Sequence, residues 1–208
     1  MQPRWMMIIG AAMVLGAAAL LVVSQSVIGD EEEMLKKAVR FDGGAAGSMS
    51  QGDLAVIEGK VSARNKILKH DFVHAAMEYE NEGSWTIVET YRQPVIVDLA
   101  VGEALLESDM VCTRSGRDNT LMTDETDPRV FRGHRIRYQG LRRGDPVAAV
   151  GTLATLSPAS VKVVHWYSGS ALDYMNSLAS NRKSARIGFS IFALLGAGLL
   201  FWGLKKRE

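Results

Sequence analysis

The chain has 208 residues, with 24 Lys and Arg against 23 Asp and Glu and a net charge of +1. A balance this close excludes the broad positive field by which proteins gather nucleic acid or acidic substrates. Cys112 is the only cysteine, which excludes an intrachain disulfide and a cysteine-built metal cage.

Residues 5–29 carry no charge, and neither do residues 187–204. A bilayer core of about 30 Å takes roughly 20 apolar helical residues, with about 17–25 tolerated. Backbone groups in lipid must be satisfied within the segment, so both runs are predicted to be transmembrane helices. Two spans put the termini on one side and residues 30–186 on the other. Ala17-Ala18-Ala19 looks like a signal-peptidase site, but the apolar run exceeds the usual h-region of about 7–15 residues, so an uncleaved anchor is expected. A juxtamembrane helix is expected over 30–46, with Met34, Leu35, Ala38 and Val39 on one face and Gly43-Gly44 as its stop. Arg4 and Lys205-Lys206-Arg207 favour cytoplasmic termini by the positive-inside tendency. Lys36, Lys37, Arg40, Arg182, Lys183 and Arg186 flank the other side, so charge counting leaves orientation open.

Between the anchors the period changes to that of strands. Residues 53–61, 72–79, 85–91, 94–98, 105–107, 130–138, 147–156 and 161–166 are β-rich. Asn81-Glu82-Gly83-Ser84 is predicted to turn a hairpin; Gly102, Gly140 and Gly144-Asp145-Pro146 punctuate later strands. The polar stretch 115–127 reads as an inserted loop. Short strands with frequent turns suggest one closed barrel or sandwich over 47–168, making the chain a membrane-anchored α+β protein. Ser170-Ala171-Leu172-Asp173 then matches a capping box. It opens a second juxtamembrane helix over 170–186, with Leu172, Met175, Leu178 and Ala179 on one face.

Chemistry-bearing groups are few. His70 and His74 have the i, i+4 spacing of some zinc sites but border a strand pattern, so no metal or cofactor is expected. Cys112 sits beside Val111 and reads as buried and inert. No nucleophile elbow appears, and no catalytic residue is assigned. Arg129, Arg132, Arg135, Arg137, Arg142 and Arg143 form the one charge cluster. Arg132, Arg135 and Arg137, with Trp85 and Tyr138, and with Tyr91 and Phe131 nearby, are the candidate partner-contact residues, because interfaces favour arginine and aromatics. No nucleic-acid partner is expected. Ala12/Gly16 and Ala193/Ala197 are small-xxx-small pairs suited to close helix approach in lipid.

Leu54-Ala55-Val56-Ile57-Glu58-Gly59-Lys60-Val61, Pro94-Val95-Ile96-Val97-Asp98 with Gly102-Glu103, and the run from Gly140 through Gly144-Asp145 and Gly151 to Leu153 occur in that order between two spans. So arranged, they resemble the GIDE-type ("beside a membrane") domain of mitochondrial membrane-anchored ubiquitin ligases and their prokaryotic relatives. The resemblance implies an OB-like β-barrel opposite the termini, periplasmic in a bacterium, which favours cytoplasmic termini. It marks Glu58, Gly59, Gly102, Glu103, Gly144, Asp145 and Gly151 as family positions. Gly59 reads structurally as a bulge and Gly144-Asp145 as a tight turn. The ligases add a RING finger needing about eight Cys and His ligands, which this sequence does not hold. The expected function is therefore non-enzymatic: an accessory subunit in the bilayer, packed against a larger membrane protein complex. The alternative is a sensor module that binds a small ligand or peptide.

Overall fold

Burial alternates residue by residue along 54–57, 95–98, 103–107 and 136–140, as side chains on successive strand positions must, while 72–78 and 147–151 are buried without a break. The computed structural model describes residues 3–44, 49–112, 119–124, 127, 129–130 and 134–205. Its elements in order are α1 (Pro3–Lys37), β1 (Val39–Phe41), β2 (Leu54–Val61), β3 (Phe72–Asn81), β4 (Ser84–Tyr91), β5 (Val95–Asp98) and β6 (Glu103–Glu107). There follow β7 (Thr120–Thr123), β8 (Ile136–Arg142), β9 (Pro146–Leu156), β10 (Ala159–Tyr167) and α2 (Ala171–Lys205). The chain divides into two compact units, one running through Glu33 and resuming at Asn176, the other spanning Met34–Met175.

In the β unit, β2, β5, β6, β10 and β9 pair in that order and β9 pairs back onto β2, closing a five-stranded barrel. β6 and β10 run parallel; the other pairs around the ring are antiparallel. β1 adds beside β2 in parallel, Val39 opposite Ala55 and Phe41 opposite Ile57. Inward positions Ala55, Ile57, Val95, Val97, Leu106, Val147, Ala149, Leu153 and Val161 are fully or almost fully buried. Burial of each Val, Leu or Ile side chain is worth about 1.5–3 kcal/mol. Cys112 is buried in this same core.

Two insertions build a second sheet. β3 and β4 lie between β2 and β5 in sequence, β7 and β8 between β6 and β9, and they combine in the order β4-β3-β8-β7. Val73 and Leu141 at the barrel end of this sheet belong to the barrel core. Phe72, Ala75, Met77, Ile136 and Tyr138 form a second core on one sheet face, with Val130 over it.

Several elements differ from the sequence reading, for identifiable reasons. α1 ends at Lys37, and Val39–Phe41 leaves the helical path because β2 offers it a free edge. On α2, Leu172 is 67% exposed while Tyr174 and Leu178, at i, i+4, are buried. Residues 120–123, read as loop, pair with β8, and the strand expected over 130–138 begins only at Ile136. Gly140 lies inside β8, where a Cβ would stand 2.0 Å from the His74 carbonyl oxygen. Its role is close backbone approach, and the turn comes at Gly144. At Gly59 the β2–β9 register runs unshifted. A Cβ there would meet the Asp98 carbonyl oxygen at 2.4 Å, so close approach of β5 replaces the expected bulge.

In the helical unit both helices are long and apolar enough to cross a membrane. A Cβ at Gly10 would lie 2.6 Å from the Gly196 carbonyl oxygen, and one at Gly196 2.9 Å from that of Gly10. The two backbones therefore touch at these glycines, the close approach that small residues permit in lipid. At Gly16 a Cβ would meet nothing within 4 Å, so the crossing lies away from the Ala12/Gly16 pair. Trp5 and Trp202, each more than half exposed, stand about 8–9 Å beyond the crossing along their helices, at matching depth. Near the other end Arg182 reaches Glu32 at 2.8 Å.

Gly140→Ala is expected to lower the stability of the β unit by about 2 kcal/mol or more, since overpacking here strikes backbone. Denaturant unfolding followed by tryptophan fluorescence measures it.

Candidate interaction face

The face of the second sheet opposite its aromatic core is the site at which the sequence-assigned contact residues can be tested. β3 and β4 are joined through Glu82 (φ 49°) and Gly83 (φ 80°). Two successive positive φ values match the right-handed twist of a hairpin. Register then lines up one row across all four strands: Ile87 on β4, Glu78 on β3, Arg137 on β8 and Met122 on β7. Trp85 lies in the next row, opposite Glu80.

The charges in this row are spent on one another. Arg137 Nε donates to Glu78 Oε2 at 2.6 Å, with only 8% of the Glu78 side chain exposed, and its guanidinium carbon lies 4.0 Å from the centre of the Trp85 ring. Such desolvated cation–π contacts contribute up to about 2 kcal/mol. Arg135 Nε donates to Glu80 at 2.5 Å, and that hydrogen bond holds the Glu80 carboxyl below its ordinary range. At the flanks of this paired centre Ile87 and Met122 are half exposed. The surface is thus apolar at its edges and electrically neutralised in the middle.

Of the contact residues read from the sequence, Trp85, Arg135 and Arg137 come together on this face. Tyr138 does not: it is 1% exposed on the opposite face, edge-on to His70 and donating its hydroxyl to Met77 Sδ. Strand alternation separates it from Arg137, so it cannot serve as a contact. Arg132 and Phe131 lie outside the described residues. Tyr91 also faces the aromatic core, where burial, followed by its bond to Glu89, pushes its hydroxyl up to about 12. Arg129 holds Asp127 down to about 2 and also pairs with Glu89, whose carboxyl it lowers. Ile87 and Met122 escaped the sequence reading, although Met122 follows from the alternation of Leu121 and Met122 once β7 is known to be a strand.

The family positions sit at joints of the barrel. Glu58 faces Arg40 at 3.6 Å, and Glu103 pairs with Arg64. Gly102 (φ +79°) turns β5 into β6, and Gly144 (φ +82°) turns β8 into β9. At Gly151 a Cβ would strike the Lys162 carbonyl oxygen. Asp145 accepts from the Arg142 backbone at 2.7 Å and from Asn119 at 3.2 Å, and Asn119 also donates to Ser168.

Among the described residues no group of three or more His, Cys, Asp or Glu is arranged to hold a metal ion. His70 and His74 engage different rings, Tyr138 and Trp166. His74 is fully buried, each ring nitrogen 3.3 Å from a carbonyl oxygen, of Gln93 and of Met110. Burial lowers it to about 4, against the opposing pull of those two carbonyls.

The unfolded chain therefore takes up a proton on His74 near pH 6.5 and the folded chain only near 4. The contribution of neutral His74 is complete above about pH 6.5, falls as pH drops towards 4, and amounts to about 3 kcal/mol. His74→Gln is expected to flatten the stability–pH slope in that window. Glu80, Glu89 and Asp127 lose their arginine-paired contributions at lower pH in both proteins, so the difference in urea midpoint between the two isolates His74.

No protein-family model, no curated protein and no solved structure matches this chain.

Proposed function

We propose that this chain is a non-enzymatic, membrane-anchored accessory subunit that docks on a larger membrane protein complex through the outer face of its four-stranded sheet. The observation that carries the reading is the row Ile87–Glu78–Arg137–Met122: an ordered, self-neutralised surface with half-exposed apolar side chains at both flanks. Interface cores are depleted in free charge and enriched in aromatics, Met and Arg. Paired charges set register and specificity more than affinity, which leaves Ile87, Met122 and Trp85 as the anchors. The two membrane-length helices support the anchoring.

The barrel is OB-like in this proposal. Its strands run 1-2-3-5-4-1 in chain order with the third and fifth parallel, which supports the Greek-key class of five-stranded barrel and, through it, the kinship to GIDE-type domains. The termini are cytoplasmic and the β unit periplasmic if the source is a bacterium.

A second reading, a sensor of a small ligand or peptide, is favoured by one feature. Arg92, Gln93, Glu107, Asp109 and Lys162 line an open polar groove of about 460 Å³ in the barrel wall. Its mixed charges suit a zwitterionic ligand.

The decisive experiment is gentle detergent extraction followed by native sizing and mass spectrometry. The wild type is expected to co-purify with a partner, and Ile87→Ser with Met122→Ser to lose it while the urea midpoint is unchanged. Arg135→Glu, at an exposed position, should weaken the complex by about 1 kcal/mol; Arg137 is left intact because reversing it would leave Glu78 buried against a like charge. A lone wild-type monomer defeats the accessory reading and leaves the sensor. For topology, a Cys112→Ala, Ser84→Cys variant places one thiol at the exposed hairpin end. An impermeant maleimide should label it in cells with an intact inner membrane; labelling only after permeabilisation reverses the orientation.

A further inference from the structure

Between the two helices of the membrane-length unit lies a groove of about 620 Å³ whose lining is almost wholly carbon. Ala12, Gly16 and Leu20 form its wall on α1, and Gly188, Phe189 and Phe192 its wall on α2. At one end it meets the contact of Gly10 with Gly196, and at the other its lining runs out at Leu20 and Ala185. Gly16 and Gly188 leave it deep, since a Cβ at either meets nothing within 4 Å. A partner helix about 10–12 Å wide needs a groove open along its length; one closed at the glycine contact suits a thin, flexible chain that terminates there.

The mouth carries the second half of the recognition. Counting about 1.5 Å per residue from the glycine crossing, Arg186 stands level with Leu20, some 15 Å up. Trp5 and Trp202 lie about 8–9 Å on the other side, so the tryptophans and Arg186 are about 24 Å apart, close to one hydrocarbon thickness. Arg186 therefore falls at a headgroup boundary. It is exposed and has no ion pair with any described residue. Arg182, one turn earlier, reaches Glu32 at 2.8 Å. At about 100° per residue, Arg182 lies about 70° and Arg186 about 110° to one side of the groove face of α2, while Lys183 points roughly opposite to it. The acidic run begins at Asp30, about 15 Å farther along α1 than Leu20, and its Glu32 reaches Arg182, so Arg186 is the phosphate's principal partner.

We propose that the groove holds one acyl chain of an anionic phospholipid, with the lipid phosphate against Arg186 and Arg182. The inference rests on the membrane reading above and adds a specific lipid site to it. Basic side chains at a headgroup boundary attract anionic lipid, and the guanidinium fork suits a phosphate.

The test uses the full chain in mild detergent, supplied with phosphatidylglycerol or with phosphatidylcholine of the same acyl composition, and counts retained lipids by native mass spectrometry. One phosphatidylglycerol should survive where phosphatidylcholine is stripped. Arg186→Gln should weaken retention about fivefold, and Gly188→Leu, which fills the groove without a clash, about tenfold or more. Lys183→Gln, the same charge loss on the far side, should change nothing. Equal retention of the two lipids, equal losses from Lys183→Gln and Arg186→Gln, or full retention by Gly188→Leu overturns the site. Loss of a co-purifying protein in Gly188→Leu, with lipid retained, assigns the groove to a partner helix and also overturns it. Alkaline carbonate extraction separates the two claims. A chain it releases refutes the membrane reading and the lipid site together; a chain that stays but holds no selective lipid refutes the site only.

Discussion

Strand β2 pairs along one edge with β9 from Leu54 to Lys60, and along the other first with β1 and then, at Lys60 and Val61, with β5. The handover occurs at Gly59, where only a hydrogen leaves room for the Asp98 carbonyl. Immediately beyond, Val61 and the β8–β9 turn exchange backbone bonds: Gly144 N donates to Val61 O at 2.7 Å and Val61 N to Asp145 O at 2.8 Å. The Asp145 carboxylate then ties that turn to Asn119, and through it to Ser168. Without this closure β2 and β9 would be open edges, which sheets do not tolerate well. Both insertions leave the barrel at this corner, so the geometry of the second sheet follows from it. Asn65 extends the same joint, its side-chain amide giving and taking hydrogen bonds with the Ile96 backbone as a neighbouring strand would.

The second sheet inherits two unlike faces from one alternation. On one side Phe72, Met77 and Tyr138 make an aromatic core; on the other, acid–arginine pairs stand between Ile87 and Met122. Because Arg135 and Arg137 on that face already have their carboxylates, these pairs contribute little net field. The ion pair with Glu78 holds Arg137 against the Trp85 ring in one arrangement.

The membrane-length helices follow a different rule, because lipid supplies no hydrophobic drive for helices to associate. Backbone contact at Gly10 and Gly196 and the Glu32–Arg182 ion pair hold them at two points. Between those points small residues leave a space that side chains do not fill.

The sequence by itself determined whatever a local period encodes. Two uncharged runs gave the helices, alternation gave most strands, Glu82-Gly83 and Gly144 gave turns, and Ser170 with Asp173 gave a cap whose reciprocal bonds are present at 3.1 Å. The pairing partners were not legible, since hydrogen bonds between strands are made by backbone atoms common to every residue. Tertiary structure therefore decided that Val39–Phe41 leaves its helix for the edge of β2, that residues 120–123 become an edge strand, and that Gly140 marks a close approach. It also decided which side chains share a face. Arg137 and Tyr138 are neighbours in sequence, yet a strand points them to opposite sides. Ile87, Glu78, Arg137 and Met122, scattered along the chain, become one row only when four strands fall into register.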